Sequence, residues 1–154
     1  MDAKETRGYL NNNPGNLDRS DTFTWDGEIR DIDDPVLTPF QFHELHYGRF
    51  CVFVDAIHGI RALAKNLEAY YDKLGLQSVA AIIGKWAPPT ENFTTNYIIS
   101  VCETLRVTPN DRIDLKVRNT IRELVKAIIR VECWGQPYDD ATIDAGLTAA
   151  GIPA

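Results

Sequence analysis

Asp114-Leu115-Lys116-Val117-Arg118-Asn119-Thr120-Ile121-Arg122-Glu123-Leu124-Val125-Lys126-Ala127-Ile128-Ile129-Arg130-Val131-Glu132-Cys133 decides how the rest of the chain is read. Ile121, Leu124, Val125, Ile128 and Ile129 recur at intervals of three and four, which marks one apolar face of a helix running from about Leu115 to Cys133. Asp114 stands where an N-cap is expected. Glu132 falls eleven, seven and four residues after Ile121, Val125 and Ile128, so it continues the apolar stripe. A carboxyl in that position loses solvation, which favours its protonated form. That is the state required of a general acid. The same position also suits a structural glutamate paired with a core arginine such as Arg61. The opposite side carries Arg118, Arg122, Lys126 and Arg130 at intervals of four, a basic row suited to solvent or to an anionic polymer.

Upstream, helical periodicity begins at Asp55. Ile57, Ile60, Leu63, Ala64, Leu67, Tyr71 and Leu74 share a face, and Gly75 ends that helix. Ser78 caps a short helix carrying Val79, Ile82, Ile83 and Trp86, stopped by Pro88-Pro89. Thr94 is the expected cap of the next, with Tyr97, Ile98, Val101, Cys102 and Leu105 inward. Thr108-Pro109 opens a single turn, and a last helix starts at Asp139-Asp140 and holds Ile143 and Leu147. The front of the chain reads differently. Asn11-Asn12-Asn13-Pro14-Gly15-Asn16 is a dense turn signal. Thr22-Phe23-Thr24-Trp25, the Asp26-Gly27 turn and Glu28 to Ile32 read as a hairpin, with Phe40 to Phe42 and Phe50 to Val54 as further short strands. The expected fold is therefore α+β and mainly helical. Residues 1–54 form a β- and loop-rich lobe with a small N-terminal antiparallel sheet, and residues 55–154 form a helical lobe of the same single domain.

Length and charge narrow the function. At 154 residues and 17.3 kDa the chain has room for one core. Its net charge of −6 and pI near 5.0 speak against a general nucleic-acid binder. Residues 1–60 hold 11 of the 22 acidic residues but only 5 of the 16 basic ones. No apolar run approaches the roughly 20 residues of a membrane span, and no secretory signal is visible. Cys51, Cys102 and Cys133 are odd in number and widely spaced, as expected of reduced, buried thiols. His43, His46 and His58 lack the spacing of metal ligands, so neither metal nor cofactor is expected.

Arg7-Gly8-Tyr9-Leu10 with Asn11 to Asn16, Gly59-Ile60-Arg61-Ala62-Leu63, Trp86-Ala87-Pro88-Pro89-Thr90-Glu91-Asn92 and Ala127-Ile128-Ile129-Arg130-Val131-Glu132 together resemble a group of phage virion and phage-encoded peptidoglycan-degrading proteins. That group is similar to the soluble lytic transglycosylases of the lysozyme-like superfamily, in circularly permuted order. The resemblance implies a lysozyme-like fold and cleavage of the β-1,4 bond between N-acetylmuramic acid and N-acetylglucosamine, with Glu132 as general acid and then base. Glu91, followed by Tyr97-Ile98, resembles a later family element. Val131 and Cys133 stand where the family commonly places His and Asn. Further catalytic candidates are Asp26, as a second carboxylate, and Glu91; Glu5 reads as a solvated terminal residue. Asn12, Asn13, Asn16 and Tyr97 are candidates for holding an N-acetyl group, and Trp86 and Tyr138 for stacking on sugar rings. The implied partner is bacterial peptidoglycan, with other virion proteins beside it and neither nucleic acid nor membrane. The implied route is synthesis in the host cytoplasm and action in the periplasm or cell wall, carried by the virion or released. The alternatives are a non-catalytic virion or wall-binding module on the same fold, and an inhibitor acting through the acidic front.

Overall fold

The helices expected after Asp55 all form in the computed structural model, which describes residues 2–89 and 93–154. A 3-10 turn at Ala3–Glu5 leads into α1 (Arg7–Leu10) and, after a long irregular stretch, α2 (Pro39–Tyr47). α3 (Ala56–Leu74) starts where the Asp55 side chain accepts from the His58 amide and ends at Gly75, whose φ of 66° suits a residue without Cβ. Ser78 caps α4 (Val79–Trp86). α5 (Thr94–Leu105) and α6 (Arg118–Glu132) follow, and Asp139 caps α7 (Asp140–Ala149).

The stripe on α6 is the spine of the core. Ile121, Leu124, Val125, Ile128 and Ile129 pack among Ile60, Leu63 and Leu67 of α3, Ile82 and Ile83 of α4, Val101 of α5 and Ile143 and Leu147 of α7. A smaller cluster of Leu17, Cys51, Phe53 and Ala62 joins the front segment to α3, with Trp25 and Trp86 against it. The basic row of α6 is neither a solvated face nor an open polymer track. Arg118 donates to the carbonyls of Asp144 and Ile152, Arg122 pairs with Asp140 and Asp144, and Lys126 pairs with Asp140. Three of its four members thus clasp α7 and the chain end.

The expected antiparallel sheet does not form, which corrects the α+β assignment to an all-helical one. Among the described residues only two isolated bridges occur, Asp18 with Phe50 and Glu28 with Phe53. Side chains take the groups a ladder would use. Glu28 accepts from the Trp25 amide at 3.0 Å, and Arg30 donates to the carbonyls of Ser20 and Phe23. Asp26-Gly27 still turns the chain, with φ of 76° at Gly27. Phe40 to Phe42 lies within α2, because Thr38, Pro39 and Gln41 form a capping box with proline in the first turn. Two helix starts also shift. Asp114 accepts from Lys116 N and the Tyr71 hydroxyl, so α6 begins at Arg118. The Thr94 hydroxyl donates to the Ala87 carbonyl and leaves α5 without a side-chain cap.

Two glycines separate close approach from open space. A Cβ on Gly59 of α3 would lie 1.8 Å from the Asn12 carbonyl oxygen, a backbone atom, whereas one on Gly84 of α4 would meet nothing within 4 Å. Gly59→Ala is expected to lower stability by about 1–3 kcal/mol through overpacking. Gly84→Ala is expected to raise it by up to about 1 kcal/mol through helix propensity. Urea midpoints of the two variants check both signs.

Candidate active site

The asparagine turn is built as a frame. Asn13 is buried, and its side chain donates to the carbonyls of Leu17 and Cys51 and accepts from Leu17 N, each at 3.0 Å. Asn11 is equally buried; its Nδ2 donates to Glu44 Oε1 at 3.0 Å, and its carbonyl accepts from Phe53 N. Asn12 donates to the Phe53 carbonyl at 3.0 Å. Asn12 and Asn16 take φ of 52° and 49°, a left-handed conformation that asparagine tolerates better than most residues. The frame fixes the turn and delivers one side chain elsewhere.

That side chain is Asn16. Its Nδ2 donates to Glu132 Oε2 at 3.0 Å, while the Tyr97 hydroxyl of α5 donates to Oε1 at 3.2 Å. Glu132 is half-buried at the last turn of α6. Burial raises its pKa above the usual carboxylate value, and the hydrogen bonds from Asn16, Tyr97 and Trp86 offset part of that rise. Burial and the neighbouring Glu132 push the Tyr97 hydroxyl well above its ordinary value, so it remains a donor. Cys133 is buried with its thiol pushed up to about 11 and adds no charge beside the acid. Asn16 of the front turn, Tyr97 of α5 and Trp86 of α4 therefore orient Glu132.

Two open depressions meet at Asn16 and Glu132. One, of about 430 Å³, runs over Trp86, Tyr70, Trp25 and Phe50; the other, of about 580 Å³, runs over Tyr97, Asn96, Ser100 and Trp134. A carboxyl at the junction reaches a ligand lying across both. Of the residues singled out by sequence, Asn16, Trp86, Tyr97 and Glu132 come together here. Asn12 and Asn13 support the turn from behind. Tyr138 is buried against Tyr9, with ring centroids 5.6 Å apart, and borders neither depression. Asp26 is exposed, 3.8 Å from Arg61, and also lies outside both. Glu5 caps the 3-10 turn with Asp2. Glu91 lies outside the described residues.

Sequence reasoning missed Trp25, Tyr70, Asp18 and Trp134 as groove residues. Trp134 carried a readable signal: it is a large aromatic in a Cys-Trp-Gly turn two residues after Glu132. It is 67% exposed and holds φ of 56°, a conformation costly for a bulky residue. Among the described residues, no group of three or more His, Cys, Asp or Glu is placed to hold a metal, and no helix is long and apolar enough to cross a membrane.

No protein-family model matches the chain. Over 144 residues it is 33% identical to Protein P5 of Pseudoalteromonas phage PM2, an alignment spanning 92% of this chain and 79% of that protein. The relationship supports a bacteriophage origin.

The raised pKa of Glu132 makes a thermodynamic test. A carboxyl whose folded pKa exceeds its unfolded one stabilises the fold below the unfolded value, and that contribution is lost as pH rises through the folded pKa. Glu132→Gln keeps the shape without the charge. Its stability relative to wild type is expected to increase as pH rises from the unfolded through the folded pKa, then stay constant. Melting temperatures of both proteins from pH 4 upward check this; a pH-independent difference would mean an unshifted carboxyl.

Proposed function

The chain belongs to the family of Protein P5 of Pseudoalteromonas phage PM2, and on that premise we propose that it is a peptidoglycan-cleaving glycosidase of the lytic transglycosylase kind. It breaks the β-1,4 bond between N-acetylmuramic acid and N-acetylglucosamine. The observation that supports this most is a carboxyl whose pKa burial raises, hydrogen-bonded by Asn16 and Tyr97, at the junction of two open depressions. The likeness of the Ala127 to Glu132 segment to peptidoglycan-degrading proteins supports it as well.

In this reading the protonated Glu132 gives its proton to the glycosidic oxygen as that bond breaks, and the N-acetylglucosamine fragment leaves as an alcohol. The ionised Glu132 then takes the proton of the muramic acid 6-hydroxyl as that oxygen attacks the anomeric carbon. The ring closes as a 1,6-anhydro sugar and the acid is restored without water. Asn16 and Tyr97 steady the carboxylate between the two steps. Trp134 and Trp86 offer ring faces on either side of the acid.

The second carboxyl position favours this outcome over hydrolysis. Asp26 lies outside both depressions, and Asp18, which borders the first, is held by Arg49 at 3.1 Å. A carboxylate engaged by a guanidinium is a poor nucleophile. With a phage origin, delivery to the wall is by carriage in the particle or by release from the host.

Purified cell walls are expected to clear with wild type. Glu132→Gln is expected to keep its fold and lose activity by a factor of about 10² or more. Activity is expected to fall as pH rises through the folded pKa of Glu132, which lies above the usual carboxylate value. Mass spectrometry of the products is expected to find 1,6-anhydro ends, lighter by one water. Reducing ends alone would make the enzyme a hydrolase and Asp18 the first base to test, while wall binding without clearing would remove the catalytic reading.

A further inference from the structure

Helix α6 ends in a way that folding alone does not call for. Cys133 is its C-cap, and the Gly135 amide donates back to the Arg130 carbonyl at 3.0 Å, closing a left-handed C-cap turn. The residue between them takes φ of 56°, in the position that such a turn usually gives to glycine. Here it is Trp134. Its Cβ is disfavoured in that conformation, and its ring stays exposed, so burial does not compensate. Residues held against their backbone preference cluster where proteins bind ligands.

The surroundings of the ring narrow the ligand. Trp134 borders the depression of about 580 Å³ together with Phe93, Asn96 and Ser100. Asn96 and Ser100 lie one turn apart on α5 and bring an amide and a hydroxyl, groups that both donate and accept. Among the described residues that border this depression there is no Lys, Arg, His or Asp, and Glu132 is its one carboxyl. Across the acid, the other depression is bordered by charged residues, Asp18 and Arg19 among them. A flat aromatic face beside neutral hydrogen-bonding groups matches a pyranose ring that carries hydroxyls and an amide. N-acetylglucosamine is such a ring. N-acetylmuramic acid adds a lactyl group, which bears either a carboxylate or a peptide stem.

We propose that Trp134, with Asn96 and Ser100, forms the subsite for N-acetylglucosamine, so that the strand lies with its N-acetylmuramic acid on the Trp86 side of Glu132. The subsite rests on the peptidoglycan reading. It adds to that reading the direction in which the strand lies and the residue that sets it.

The probe is N,N′-diacetylchitobiose, which contains no muramic acid, and calorimetry reads its binding without turnover. Trp134→Gly is expected to weaken binding about tenfold, the scale of one lost aromatic face. The same variant is expected to melt about 2 °C higher, because the left-handed position is relieved. A purely structural tryptophan would give the opposite sign. Trp134→Phe, which keeps a ring face, is expected to bind within about threefold of wild type. Ile99→Ala, exposed on α5 and bordering neither depression, is expected to leave the affinity unchanged. Muramyl dipeptide is expected not to displace the chitobiose. No binding by wild type at millimolar chitobiose, an unchanged affinity or a lowered melting temperature in Trp134→Gly, an equal loss in Ile99→Ala, or displacement by muramyl dipeptide overturns the subsite. Chitobiose binding by a wild type that never clears walls supports the subsite and removes the glycosidase reading instead.

Discussion

The hydrogen bond from Asn16 to Glu132 is the contact on which the site depends. It joins the front turn to the last turn of α6, two segments far apart in the chain. Asn13, Asn11 and Asn12 spend their side chains on backbone groups and on Glu44, and Gly59 lets the Asn12 carbonyl sit against α3. With that support Asn16 reaches the carboxyl at 3.0 Å. Tyr97 approaches from the other side, and the acid is set by parts of three distant segments.

The surroundings of Glu132 resolve an apparent conflict in its chemistry. Under the proposed mechanism, burial favours the neutral acid, which gives a proton, while hydrogen bonds from Asn16, Tyr97 and Trp86 soften the cost of the anion, which takes one back. An acid and base of one residue needs both states within reach. Donors alone would leave a permanent carboxylate, and burial alone would leave a group too reluctant to ionise. The neutral Cys133 thiol keeps the helix end from tilting that balance by charge.

Much of this was readable in the sequence, and the failures have a common cause. Periodicities of three and four announced α3 to α7, and the place of Glu132 on the stripe announced its desolvation, because both follow from local geometry. The strand assignments failed because Arg30 and Glu28 spend their side chains on the backbone groups that a ladder would pair. The α2 region failed because a capping box outweighed an aromatic run. Asn12 and Asn13 look like Asn16 in sequence, and only the chain path separates two braces from one contact. The basic row of α6 looked solvated because its acidic partners lie on α7, out of reach of any local pattern.

The contact between Asn16 and Glu132 spans 116 positions, and that between Cys133 and Pro14 spans 119. Closing a loop of that length costs on the order of 4 kcal/mol in chain entropy before anything is gained. Tyr97 and Trp86 lie on the same side of that loop as Glu132, so Asn16 is the partner that waits for the closure. A nascent chain still on the ribosome therefore lacks the Asn16 hydrogen bond to Glu132, which forms only once both ends have met.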